Sequence, residues 1–351
     1  IIDVFGSDHI AVLDHDAYQM QNGEGNRAHS ETGKWFTTEE TETEQYQTGD
    51  NNVSRFEMQK GYGNYAKSDQ DGDNNNVFYR VKGDENHAEF TQNSNSPGNV
   101  ASARTFGDDN VIDVDQAGYG NMVGTAWGQG IYQDGDRNES YISQDGYDNW
   151  ATVEQTGNDN ALDYDVVGHD NEFDAVQEDE GASTLSVNGN KAVIDQTWRD
   201  ADDNYGNDFD LTQKTNGGKG NRTYMGVKGD DNNFTVTQQG SWNQIKNGTM
   251  FSDVKFEDVT EDDLFKFEGD GANIVFTQHG NQNLISGEVR NSYGDVTVDQ
   301  DGNVNKAFLD FGGSLKFHNN ATIIQDGNYN IGSIEIGTNG NTANINQIGV
   351  S

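Results

Sequence analysis

Aspartates placed around single glycines are the first groups in this sequence that could do chemistry. The strings Asp69-Gln70-Asp71-Gly72-Asp73 and Asp299-Gln300-Asp301-Gly302-Asn303 present closely spaced oxygens of the kind a hard cation takes. Asp69, Asp71, Asp73, Asp299 and Asp301 are therefore the candidate calcium ligands. Neither string is an EF-hand, because the glycine stands fourth and no glutamate follows at the twelfth position, and the GGxGxD calcium repeat is missing. The plainer reading of the acids is a solvated surface that delays premature association. Asp8, His9, Asp14, His15 and Asp16 form a local cluster that alternating strand geometry could bring to a metal, although exposed polar residues account for it as well. With 60 Asp and Glu in the chain, paired carboxylates need no glycosidase to explain them. No HExxH, GxSxG or P-loop string occurs, so the sequence points away from an enzyme and asks for no cofactor beyond the calcium alternative.

The groups with regular spacing are amides. A hexad Q-x-G-x-x-N begins intact at Gln21, Gln47, Gln59, Gln70, Gln116, Gln133, Gln144, Gln155, Gln238, Gln278, Gln300 and Gln325. Gln133, Gln144 and Gln155 are 11 residues apart, and Val166 opens the next hexad in the glutamine position. Glutamine and apolar residues alternate in this way near the C-terminus too, which makes the unit about 22 residues built from two similar halves.

Residues before each glutamine alternate in polarity. Ile112, Val114 and Gln116 are separated by Asp113 and Asp115, and Phe234, Val236 and Gln238 by Thr235 and Thr237. Period two means half-buried strands. The x-G-x-x-N that follows is turn chemistry, because Gly and Asn tolerate positive φ. Gly61, Gly72, Gly118, Gly135, Gly146, Gly157, Gly240, Gly280, Gly302 and Gly327 are the expected turn glycines. Strand, turn, strand, turn closes one coil, and the fold class expected is all-β, a two-sheet solenoid of stacked β-arcs.

Such a coil explains the composition. Only 31% of the 351 residues are hydrophobic, with 43 glycines, one proline, no cysteine and a formal charge of -39. That balance would normally mean disorder, but a flat coil has an interior one side chain thick per face and needs few apolar residues. Glutamines buried inside it hydrogen-bond their counterparts one rung above and below. A lone buried amide costs about 1–3 kcal/mol, and a column satisfies it. The expected columns are Gln59, Gln70, Gln116, Gln133, Gln144, Gln155, Gln238, Gln278, Gln300, Gln325 and Gln347 in the strands. At the turns they are Asn64, Asn75, Asn121, Asn138, Asn149, Asn160, Asn243, Asn283, Asn305 and Asn330. The pattern runs over residues 1–351 as a single domain, interrupted near 24–46, 178–226 and 246–272, which read as irregular insertions. Trp35, Trp127, Trp150, Trp198 and Trp242 fall outside the strand frame and read as corner residues.

The combined string Q-x-G-x-x-N-x-A-x-x-x-Q, present as Gln59, Gly61, Asn64, Ala66 and Gln70 and again as Gln144, Gly146, Asn149, Ala151 and Gln155, resembles the repeat of the curlins. Asn86, Ala88 and Gln92 match its second half. The resemblance implies a structural subunit, exported to the cell surface, which polymerises into extracellular amyloid fibres of a biofilm matrix through stacked β-arcs. It also implies a nucleator subunit and secretion machinery as partners, besides the chain itself. A monomeric, calcium-stabilised solenoid module of a surface adhesin is the alternative. The chain is more acidic and longer than a typical curlin.

Further expectations follow from charge and hydropathy. Phosphate binding needs clustered Lys and Arg, so nucleic acid is not an expected partner. No run of about 18 apolar residues is present, so no membrane span is expected. There is no basic-then-apolar leader, and secretion would mean that one has been removed. Both terminal strand patterns lack a capping segment, which leaves solenoid edges open to another subunit.

Overall fold

The computed structural model describes residues 2–4, 12–32, 38–94, 96–124, 130–179, 189–196, 206–215, 219–246, 265–268, 273–288, 294–310, 319–335 and 342–349. Every regular element among them is a β-strand, every strand pairing given is parallel, as in Tyr65–Gly72 against His87–Ser94, and the fold is a β-solenoid. Contacts divide the chain into two compact units, Ile1–Asn158 and Asp159–Ser351.

In the first unit one sheet contains Arg27–Thr32, Val53–Tyr62, Asn76–Lys82, Val100–Phe106, Ile131–Asp134 and Trp150–Thr156, paired in that order. The facing sheet contains Val12–Asn22, Thr38–Thr48, Tyr65–Gly72, His87–Ser94, Val111–Tyr119 and Glu139–Tyr147. The chain alternates between the sheets, so each strand pairs with the strand two along in sequence. Residues 24–46, expected as an insertion, contain Arg27–Thr32 and most of Thr38–Thr48. Glutamate and threonine alternate there with threonine inward; buried Thr43 fills the position of Ala66 and Ala88 in later rungs, and buried Thr41 takes the corner place that Asn64 holds in the next one.

In the second unit the two sheets follow the same alternation, for example Glu172–Asp179, Asp208–Thr215 and Asn233–Gln239 on one side and Ala161–His169, Lys191–Gln196 and Arg222–Lys228 on the other. The stretch 178–226 therefore includes strands, and 246–272 includes Phe265–Glu268; the remaining parts, 180–188, 197–205, 216–218, 247–264 and 269–272, lie outside the described residues.

Inward positions form a thin core. Phe56, Tyr79 and Phe90 pack with ring centroids 6.4 and 5.9 Å apart in the first unit. In the second, Phe173, Phe209 and Phe234 follow one another at 5.7 and 5.2 Å. Each fully buried ring contributes about 1.5–3 kcal/mol through lost apolar exposure. At the corner of the second unit Trp242 lies beneath Lys219 Nζ, 3.7 Å from its ring centroid. Trp150 opens a strand, whereas Trp35, Trp127 and Trp198 lie outside the described residues.

Candidate functional site in the amide columns

In-register parallel pairing puts the same hexad position of successive coils side by side, and the amides meet. In the first unit Gln21 Nε2 donates to Gln47 Oε1 at 2.6 Å, Gln47 to Gln70 at 2.8 Å, Gln70 to Gln92 at 2.9 Å, Gln92 to Gln116 at 2.8 Å and Gln116 to Gln144 at 2.9 Å. On the facing sheet Gln133 donates to Gln155 at 2.9 Å. Hexads 11 residues apart thus alternate between two columns. The second unit runs Gln177, Gln213, Gln238, Gln278, Gln300, Gln325 and Gln347, each donating to the next at 2.7–2.9 Å.

The second Nε2 hydrogen goes across the interior to the opposite sheet. Gln70 reaches Val53 O at 3.0 Å, Gln116 reaches Val100 O at 3.2 Å and Gln155 reaches Glu139 O at 2.9 Å. One amide therefore ties its rung to the next rung and to the facing strand, with both donors used in a buried place.

Gln59 departs from this scheme. A β-bulge between Met58 and Lys60 advances the strand, so Met58 occupies the column beside Val81 and Gln59 is half-exposed outside it. The intact hexad gave no hint of the bulge. Val81 and Thr105 continue that column before Gln133, whose Oε1 consequently finds no donor.

The asparagines form columns of a different kind, bonding to backbone more than to each other. Asn121 Oδ1 accepts the backbone N–H of Asn149 at 3.2 Å, while its Nδ2 donates to Gly146 O at 3.0 Å and to Ala117 O at 2.8 Å. Each such residue clips its own turn and the turn of the next rung. Asn75 and Asn149 share this corner with Asn121, and Asn64 and Asn138 stand at the opposite one, where they bond Asn86 and Asn110. In the second unit Asn160 accepts from Asn190, Asn243 from Asn283, Asn283 from Asn305 and Asn305 from Asn330, through the backbone N–H in each case.

All ten turn glycines have φ between 94° and 130°. At Gly118 the reason is also steric, since a Cβ would stand 1.8 Å from Gly146 O. The fifth hexad position is left-handed too, as at Asn51, Asp109, Arg137 and Val304, with φ of 58°, 57°, 56° and 61°. Nothing in the hexad string marks that residue, because the position accepts any type.

The candidate calcium ligands are not gathered. Asp69 and Asp71 point to solvent on either side of buried Gln70, and Asp73 Oδ1 accepts the backbone N–H of Asp50 at 2.8 Å. Asp299 and Asp301 flank Gln300 in the same way. Among the described residues no group of three or more His, Cys, Asp or Glu is arranged to hold a metal. Asp8 and His9 lie outside the described residues. Acids at the fourth hexad position serve the backbone. Asp84, Asp108 and Asp136 Oδ1 accept the N–H groups of Tyr62, Asp84 and Asp108, one rung back, at 2.9, 2.7 and 3.0 Å.

Electrostatics concentrate where outward acids meet in register. Burial first, then Asp165 and Asp195, pushes the Asp163 carboxyl up to about 7. Burial and the neighbouring Glu89 likewise raise Asp113 above the usual carboxylate range.

The expected columns leave out Gln92 and Asn86, which stand out only as half of a repeat, and they miss Asn99, whose corner is longer and carries Ser94 in place of glycine, and Asn110; Asn86 and Asn110 follow Val81 and Thr105 instead of glutamine. The shorter string G-x-x-N would have found the last two.

Parallel coils with amide columns define a β-solenoid. Residues 130–157 and 142–163 match the family model of the curlin associated repeat, a structural and non-enzymatic family. No curated protein matches the chain. Among the described residues no helix is long and apolar enough to cross a membrane.

Proposed function

We propose that this chain is a structural subunit of an extracellular, self-assembling amyloid-like fibre, a cell-surface filament or a component of a biofilm matrix. The observation that carries the reading is the glutamine column, in which one member after another offers the next rung the bond it accepts from the rung before, up to Gln144, whose buried Nε2 finds no acceptor. Gln347 accepts from Gln325 at 2.8 Å and donates across to Ile331 O at 2.7 Å, which leaves one N–H for a further acceptor in the column. Its strand, Thr342–Ile348, has its described pairing on one side, against Asn319–Asp326. A strand from another copy would meet the same register, backbone and side chain alike. Export, a nucleator subunit and adhesion belong to this reading through the curlin repeat.

Seeding tests it. Purified chain incubated with fragments of preformed fibres should convert without a lag and give unbranched filaments by electron microscopy, with or without a chelator. Discrete particles that lose their shape in chelator, and no seeding, would instead establish a monomeric calcium-stabilised module.

A further inference from the structure

Charge is unevenly spread over the outer faces. The chain has 21 Lys and Arg against 60 Asp and Glu, yet three consecutive strands of one sheet in the first unit turn cations outward together. Register puts Arg80 between Glu57 and Arg104, and Lys82 between Lys60 and Phe106. Arg55 stands one column over, beside Phe78. Glu57 receives both Arg55 and Arg80 at 2.5 Å and has Glu31 beside it in register, so two carboxylates stand against Arg55, Lys60, Arg80, Lys82 and Arg104 and the patch is net positive. Phe78 holds both guanidinium groups close, 5.9 and 5.6 Å from its ring centroid. Lys60 and Lys82 are exposed.

The second unit presents the same mesh with the opposite sign. Glu172 lies beside Asp208 and Asp174 beside Asp210, on adjacent strands in register. Burial and the neighbouring acids raise the carboxyls of Glu172 and Asp210 above their ordinary range. The lysine on the second of these strands, Lys214, is engaged by Glu178 at 2.9 Å. Both faces space their charges by about 4.8 Å between strands and about 7 Å along a strand.

We propose that the Arg80, Lys82 and Arg104 face of one copy docks sideways onto the Glu172, Asp174, Asp208 and Asp210 face of a second copy. The two meshes match in spacing as well as in sign, so charges meet pairwise, a correspondence that a flexible polyanion does not offer. The faces differ from each other, which makes the contact heterologous. Single exposed ion pairs are weak, but a filament repeats them at every subunit. The inference rests on the fibre reading for its filament readout and is independent of it in solution.

The variant Lys60→Glu with Lys82→Glu changes two exposed side chains and leaves the Glu57 network in place. Wild-type filaments should lie side by side at about 0.01 M salt and separate at about 1 M, where the screening length falls from about 30 to about 3 Å. The variant should lose lateral association at both, with seeding rate unchanged, and adding Asp174→Lys and Asp210→Lys to it should restore bundles. Bundling equal to wild type in the lysine variant, or bundling indifferent to salt, overturns the proposal. Bundling of wild type only after heparin or DNA is added also overturns it and assigns the cationic face to a polyanion. If no filaments form, the fibre reading fails and sedimentation of the soluble chain decides. Dimers at low salt that the lysine variant lacks uphold the contact, and monomers throughout refute it.

Discussion

Gln92 Nε2 donates to Gln116 Oε1 across 2.8 Å, although the two residues are 24 apart in the chain. That bond is buried, is repeated above and below, and leaves no amide donor idle. It follows that the column tolerates a change of side-chain size less well than its surface position in the sequence pattern suggests, and a change of hydrogen-bonding character least of all.

Gln70→Glu puts a carboxylate between Gln47 and Gln92, in a place with two donors' worth of demand. Ionised, the new side chain offers Gln92 Oε1 no hydrogen, and the loss should be about 3–5 kcal/mol at pH about 7. Protonation restores a donor. The folded-state carboxyl is therefore raised above its unfolded value, and stability returns as pH falls through it. Urea midpoints of variant and wild type at pH about 7 and about 4 should converge at the lower pH.

Asp163 supplies a natural counterpart. Its carboxyl, raised by burial to about 7 from the ordinary 3.8, favours the protonated form in the folded chain. The stability cost is absent below the unfolded pKa, grows as pH rises between the two values and is complete above the folded one. Asp163→Asn should stabilise the second unit by about 1–3 kcal/mol at pH about 8 and change little at pH about 4. Thermal unfolding across that range checks the sign.

Val304 has φ 61°, a left-handed conformation that a β-branched residue adopts at a cost of about 1–3 kcal/mol. Asn51 and Asn74 occupy the same turn position with φ of 58° and 61°. Val304→Asn should therefore raise stability by about 1 kcal/mol, read as a higher denaturant midpoint at unchanged slope.

Gly118→Ala should do the reverse. Its Cβ would stand 1.8 Å from Gly146 O, so two rungs must separate or the turn must refold, at about 2–4 kcal/mol. Amide exchange should accelerate at Asp148, whose N–H bonds Tyr119 O at 3.1 Å across the same corner.

Much of this architecture was legible because parallel stacking needs the same residue at the same place in each coil, and repetition survives in the string. Strand polarity, turn glycines and most amide partners follow from that one demand. Local geometry that breaks repetition was not legible. The bulge at Met58 and Lys60 removes Gln59 from its column without altering the hexad. Thr41 and Thr43 hide a strand inside a polar segment. The acids read as calcium ligands turned out to be spoken for in part by backbone amides, as Asp73 is by Asp50, since spacing in sequence does not say which way a corner carboxylate faces.

The intervals between partners in the second unit's column carry a last consequence. Gln177 and Gln213 are separated by 36 residues, Gln238 and Gln278 by 40, and Gln278 and Gln300 by 22, yet each pair meets at 2.8–2.9 Å. Each doubling of a corner's length costs only about 0.6 kcal/mol in closure entropy. Corners are thus free positions for evolutionary insertion, and for grafting: a foreign peptide spliced between two such glutamines would be carried outward at a fixed interval while the frame beneath it keeps count.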